Sequence, residues 1–293
     1  EYATDFFVSV FTEVLRPGNF RYRTQRIDKG RVRRMTTAKN HLQLSIDTLP
    51  ETVLLPGDPG RIEEIAAFLE NARQVGNHRG YLTIVGEYEG IEVAACSSGI
   101  GGPSVEIAVV ELKRYGVRRI IRIGTSGGVG KDVLPGDLVV LNGCIRYSGA
   151  ADLFVPVNFP AISDFRTALL LEENAKRTGV PVHFGIGLSL DSFYATKTHL
   201  VEEGFPSMIE KDLTLWRNAG ALQLDMEAAT LFVLSSLLHI RAGAICTVAS
   251  NLTQNIRPET PPSNEKAIKA ACDTVKGLYN MDERGTRQWG SNG

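Results

Sequence analysis

What most constrains this chain is the hydropathy of its strand-like runs. TVLL (residues 52–55), VRRIIRIG (117–124), DLVVLNGCIRY (137–147), VHFGIGLSLDSF (182–193) and AGAICTVASNLT (242–253) carry apolar residues on both alternating phases. A strand that is apolar on both sides has to be covered on both faces. Helical patterns separate these runs. After TVLL, a turn of Pro56, Gly57 and Pro59 leads to Ile62, Ile65, Ala66 and Leu69 at helical spacing. Further helices are predicted from Gly101 to Gly116, over residues 164–178, after LDMEAAT (224–230) and over residues 262–279. YLTIVGEYEGIEVAACSSG (81–99) reads as a hairpin turning at Tyr88 to Gly90. The pattern predicts an α/β fold with a central mixed β-sheet flanked by helices on both sides.

No linker rich in Pro, Gly or Ser divides the chain. The reading is an N-terminal arm with a basic segment (residues 1–42), a single domain (43–281) and a flexible tail (282–293). Residues 16–39 hold nine basic residues against one acid, Asp28. Only Phe20 and Tyr22 lie there to stack on bases, so a solvated arm, or one wrapped on a sister subunit, is expected rather than a nucleic-acid arm. Lys plus Arg is 32 against 33 Asp plus Glu, which gives no global attraction to nucleic acid or an anionic membrane. LFVLSSLLHI and the other apolar stretches are too short to span a bilayer. Cys96, Cys144, Cys246 and Cys272 lack metal-ligand spacing and read as reduced thiols. With no leader pattern, a cytoplasmic location is expected.

Arg122 stands inside an apolar strand. A guanidinium there is costly unless it is paired or faces a polar cleft. One reading is a structural ion pair; the other is an oxyanion ligand helped by the Thr125 hydroxyl. The glycines that follow do not form a triphosphate loop, because GTSGGVGKD has Thr125 where the first glycine belongs and Asp132 after the lysine. The dinucleotide spacing fails as well, at Val133. PGDPGR (56–61) repeats the logic of a glycine turn with an arginine: Gly57 allows close backbone approach and Arg61 points back over the strand end. Glu227 of LDMEAAT either stabilises a helix start or holds the vicinal hydroxyls of a sugar. Phe193 and Tyr194 either pack in the core or stack on a planar group. His41 precedes the first strand with no local reason to be buried.

Taken together, PGDPGR, HRG (78–80), SSGIGGPS (97–104), RIGTSGG (122–128), DSFY (191–194) and LDMEAAT resemble the nucleoside phosphorylase family of the hexameric type, most closely its uridine phosphorylase branch. The resemblance covers residues 41–280 and implies a single-domain nucleoside phosphorylase fold. It implies phosphorolysis of uridine to uracil and ribose 1-phosphate, with inorganic phosphate as co-substrate and no cofactor. It places phosphate on Gly57, Arg61, Arg122 and Thr125, with Arg79 lent across a dimer interface. Ribose falls to Met226 and Glu227, with His41 reaching from the neighbour to the 5′-hydroxyl. The base falls to Phe193 and Tyr194. The implied assembly is a homodimer as the smallest active unit, or a trimer of dimers. The sequence departs from the family at the base: Lys197 and His199 stand where a glutamine and an arginine read uracil, and Ser250 or Asn251 where a purine-protonating aspartate would be. Gly80 replaces the glutamate that binds a monovalent cation in some relatives, so no metal is expected. Alternatives are a phosphorylase of another nucleoside, a nucleosidase, or a non-catalytic nucleoside-binding protein.

Overall fold

The computed structural model describes residues 41–194 and 210–289. Strand β1 (Thr52–Pro56) feeds helix α1 (Gly60–Ala66), and β2 (Glu70–His78), β3 (Tyr81–Tyr88) and β4 (Ile91–Cys96) follow as an antiparallel meander. Its two turns are fixed by local backbone chemistry. Arg79 and Gly80 (φ 53° and 84°) and Glu89 and Gly90 (φ 48° and 76°) are both left-handed pairs. Two consecutive left-handed residues make the tight hairpin whose twist matches that of the strands.

Next come α2 (Gly102–Arg114), β5 (Arg119–Gly128), β6 (Leu138–Tyr147), α3 (Gly149–Asp152), β7 (Ala161–Ile162), α4 (Phe165–Lys176) and β8 (Val182–Leu190). After them lie α5 (Glu210–Asn218), β9 (Gln223–Asp225), α6 (Ala228–Leu237), β10 (Arg241–Asn251) and α7 (Glu265–Trp289). Helix α4 begins where the Asp164 carboxylate accepts the Thr167 N–H at 2.8 Å as its N-cap. The ten strands form one mixed sheet in the order β10-β6-β8-β9-β5-β1-β4-β3-β2, with β7 on β6. Strand β5 also pairs in parallel with β10, so β5, β10, β6, β8 and β9 close a ring at one end of the sheet.

The two apolar phases of the strands serve two cores. Val53, Leu55 and Ile120 pack with Val105, Val109 and Leu112 of α2 and Leu231 and Phe232 of α6. Leu54, Ile121 and Ile123 face the other way, against Ile62 and Ile65 of α1, Leu171 of α4 and Ile268 and Val275 of α7. Because strand side chains alternate, Arg122 shares the phase of Ile120 and faces the α2 and α6 layer.

Three features differ from the sequence reading. Strand β2, ENARQVGNH, was not expected; it is an edge strand with only Val75 buried, so it lacks an apolar signal. Helix α7 runs to Trp289 rather than ending near residue 279, and Asp282 pairs with Arg119 and Arg241. The glycines after Arg122 are not a turn. They continue β5 to Gly128, with Gly124 opposite Cys246 and Gly128 opposite Asn251 of β10. Their role is close approach: a Cβ on Gly128 would lie 2.8 Å from the Val133 carbonyl oxygen, and one on Gly124 2.7 Å from Cys246 Sγ. Backbone cannot yield as a flexible side chain can. Gly128→Ala is therefore expected to lower stability by ~1–3 kcal/mol, read as a lower thermal midpoint.

Candidate active site

The centre of the site is the Arg122 guanidinium, 3% exposed. Its Nε–H donates to Asp225 Oδ2 at 3.1 Å, and Nη2 donates to Glu227 Oε2. Nη1 is buried with no hydrogen-bond partner and lies 4.0 Å from where a Gly57 Cβ would be. The sequence left two readings of Arg122 open, ion pair or anion ligand. The pairing is present, and it also directs one donor face away from the carboxylates, toward Gly57.

The topology explains how the two carboxylates arrive. Strand β9 runs antiparallel to the end of β5, with Gly127 opposite Leu224. Residues 225–227 therefore turn back alongside Thr125 and Gly124. The carboxylates then divide the work. Asp225 accepts the Ala228 N–H at 3.0 Å and so takes the helix-start role considered for Glu227. Glu227, 6% exposed, reaches across instead: Gly101 N–H donates to its Oε1 at 2.6 Å, and Met226 N–H to Oε2 at 3.3 Å. Asp225 was not singled out from sequence. Its signal was the spacing of the two acids in LDME, which puts them on one side of a strand end.

Electrostatics couples these groups. Burial opposes the charge on Arg122, but Glu227 and Asp225 outweigh it and hold the guanidinium above its ordinary range. Burial pushes Glu227 up; Arg122 pulls it back, and the like charge of Asp225 pushes again, leaving it above the usual carboxylate range.

Arg61 is buried on the adjoining turn. Its Nη1 donates to the Ile123 carbonyl at 2.9 Å. With the Asn264 amide turned to suit both neighbours, the Asn264 oxygen accepts from Arg61 Nη2 and Nε at 3.2 Å each. Burial lowers the Arg61 pKa, Glu64 opposes this, and nearby Arg122 lowers it further. Gly57 fits because a Cβ there would stand 3.2 Å from the Gly99 carbonyl oxygen, crowding the side on which Arg122 Nη1 lies. Thr125 is exposed, three residues on from Arg122 in β5, and Met226 is half-buried. Phe193 (53% exposed) and Tyr194 project beyond β8, with ring centroids 5.2 Å apart and edge to face. Strand β8 lies parallel to β9, with Ser189 opposite Asp225, so the aromatic pair follows the same direction as Glu227.

Two expected site residues lie elsewhere in the chain. Arg79 is exposed on the β2–β3 turn, three strands from β5, roughly 14 Å across at the usual strand spacing. His41 is held by Glu111 on α2, whose Nδ1 to Oε1 distance is 2.7 Å. Ten residues of α2 separate Glu111 from Gly101, where Glu227 is held, a span of roughly 15 Å. The His78 ring donates through Nδ1 to the His41 carbonyl at 2.8 Å, so His41 and Arg79 share one surface. Lys197 and His199 lie outside the described residues. Asn251 is spent on structure: its amide donates to the Gly130 and Val133 carbonyls, both at 2.8 Å, and its oxygen accepts from Thr253 and Gln254 N–H. Among the described residues, no group of three or more His, Cys, Asp or Glu is arranged to hold a metal ion. No helix among them is long and apolar enough to cross a membrane.

Arg122, Asp225 and Glu227 thus form a buried charged cluster beside Arg61 and Gly57, within an α/β domain built on a mixed sheet. The chain belongs to the phosphorylase superfamily, whose family model matches residues 51–278. It is similar to the uridine phosphorylase of Thermococcus kodakarensis, 36% identical over 255 residues, covering 85% of this chain and 91% of the relative. The uridine phosphorylase of Escherichia coli is 36% identical over 249 residues, covering 81% and 97%. The guanosine phosphorylase of Halorubrum lacusprofundi is 34% identical over 248 residues, covering 81% and 98%.

Carboxyl-carbon NMR titration tests the electrostatics directly. The Glu227 midpoint is expected above that of an ordinary glutamate, about 4.3. Asp225→Asn removes the like charge, so the midpoint moves down; an unchanged midpoint contradicts the coupling.

Proposed function

We propose that this protein is a pentosyltransferase that cleaves uridine with inorganic phosphate, giving uracil and ribose 1-phosphate, without a cofactor. The observation that carries the reading is Arg122: fixed by Asp225 and Glu227, it keeps a buried donor face toward Gly57. Phosphate sits there against Arg122 Nη1, the Gly57 backbone, Thr125 and the remaining N–H groups of Arg61. Glu227 holds the 2′- and 3′-hydroxyls, with Met226 beneath the sugar. Phe193 and Tyr194 flank the base, with Lys197 and His199 offering donors to its carbonyls.

In the reaction, a phosphate oxygen attacks C1′ as the bond from C1′ to N1 breaks. The electron pair leaves with the uracil, and a proton from the medium or from a base-binding donor completes it. Positive charge develops on the ribose ring, and the phosphate dianion faces it. Within one chain the charges of Arg61 and Arg122 are already matched by Asp225 and Glu227. A dianion therefore calls for a further cation, and Arg79 of a neighbouring copy supplies it. The same geometry asks His41 of that copy to meet the 5′-hydroxyl. The homodimer is thus the smallest complete unit, and a trimer of dimers repeats it.

The second reading is phosphorolysis of guanosine. It is favoured by the Halorubrum lacusprofundi relative and by the replaced uracil-reading pair. Against it stands the commitment of Asn251 to backbone carbonyls, with no acid at that position.

Turnover of uridine, thymidine, deoxyuridine, inosine, adenosine and guanosine, each with and without phosphate, tests the proposal. Phosphate-dependent release of uracil is expected; release that ignores phosphate identifies a nucleosidase, and release from guanosine alone selects the second reading. Arg122→Lys keeps the charge but loses the planar fork. It is expected to lower kcat by about 10²-fold while the protein stays folded; near wild-type turnover would remove Arg122 from the phosphate site.

A further inference from the structure

We infer that Glu111 is a positioning residue for the ribose end of the substrate: it fixes the backbone, ring orientation and tautomer of His41, so that Nε2 is the nitrogen offered to the nucleoside 5′-hydroxyl. The inference rests on the proposed phosphorolysis and on His41 serving a neighbouring copy.

Glu111 lies in the last turn of α2 and is 3% exposed, an unusual burial for a carboxylate. Both its oxygens face the start of the domain. His41 N–H approaches Oε1 and Oε2 at 3.1 and 3.0 Å, and Leu42 N–H donates to Oε2 at 3.0 Å. The His41 ring adds a contact through Nδ1, 2.7 Å from Oε1. An ionised carboxylate only accepts, so Nδ1 carries the hydrogen in this contact. Burial alone would raise the Glu111 pKa; the Leu42 N–H and the His41 groups outweigh it and hold the carboxyl below its ordinary range. It is therefore ionised, and an acceptor, at neutral pH. A histidine whose one nitrogen is held by a carboxylate presents the other in a defined state. In the neutral ring that other nitrogen, Nε2, is an acceptor suited to a hydroxyl hydrogen. His78 secures the same residue from behind, its Nδ1–H donating to the His41 carbonyl. The outcome is a half-buried imidazole, its side chain 35% exposed, held by the buried Glu111 carboxylate.

Substrate truncation separates positioning from mere folding. Glu111→Gln is to be assayed with uridine and with 5′-deoxyuridine, which lacks the hydroxyl. The expected result is a loss of about tenfold in kcat/KM for uridine, chiefly in KM, and little change for 5′-deoxyuridine. His41→Ala is expected to show the same selectivity, with no further loss in the double variant. Equal loss on both substrates, or none on either, overturns the inference. Wild-type enzyme inactive toward both nucleosides would instead overturn the proposed reaction, before any variant is made. Should Glu111→Gln fail to fold, nitrogen-15 spectra of the wild-type imidazole at alkaline pH decide: hydrogen on Nδ1 of His41 is expected, and hydrogen on Nε2 overturns the inference.

Discussion

The structure depends on how a guanidinium is accommodated inside a sheet. Arg122 stands on the same strand phase as Ile120, between apolar helices and the ends of parallel strands. An unpaired charge there would cost several kcal/mol. The fold answers with two carboxylates, and to deliver them β9 has to run back along β5. That antiparallel return also closes the ring of β5, β10, β6, β8 and β9. One electrostatic requirement is thus met by the way the sheet closes around the candidate site.

The division of labour between Asp225 and Glu227 follows from their places on one short segment. Asp225 ends a strand, so its oxygens can reach both the Arg122 Nε–H and the Ala228 N–H at the start of α6. Glu227, two residues on, points across to Gly101 at the start of α2. Helix α2 then links two tasks: its first turn secures the carboxylate of the site, and Glu111, three turns on, secures His41. A rigid helix of this length keeps these groups too far apart to meet on one small substrate. This is the physical reason a single copy is incomplete in the proposed function.

Much of the architecture was legible because it is written in local patterns. The two-phase strands, the helical spacing of apolar residues and the Glu89–Gly90 hairpin each carry a residue-level signal, and so does the misfit of Arg122 among isoleucines. What was missed lacked such a signal. Strand β2 is polar because one edge of it meets water. The glycines at 124, 127 and 128 look like a turn in isolation, and only the presence of β10, Leu252 and Val133 shows that they are places where a side chain would not fit. Asn251 carries no local sign of its role; only the folded chain shows its amide holding the Gly130 and Val133 carbonyls.

By itself the sequence determined that the chain forms an α/β domain, that its sheet is covered on both faces, and that an arginine is embedded in an apolar strand with a pair of acids at a later strand-to-helix junction, because hydropathy period and turn chemistry are properties of neighbouring residues. The tertiary structure decided which partner each charge takes: that Asp225 caps and aligns while Glu227 reaches outward, that Arg61 leans on Asn264, and that Glu111 grips His41 from 70 residues away. Such pairings join groups distant along the chain, and no local pattern records them; they exist only once the strands have fixed which ends lie side by side.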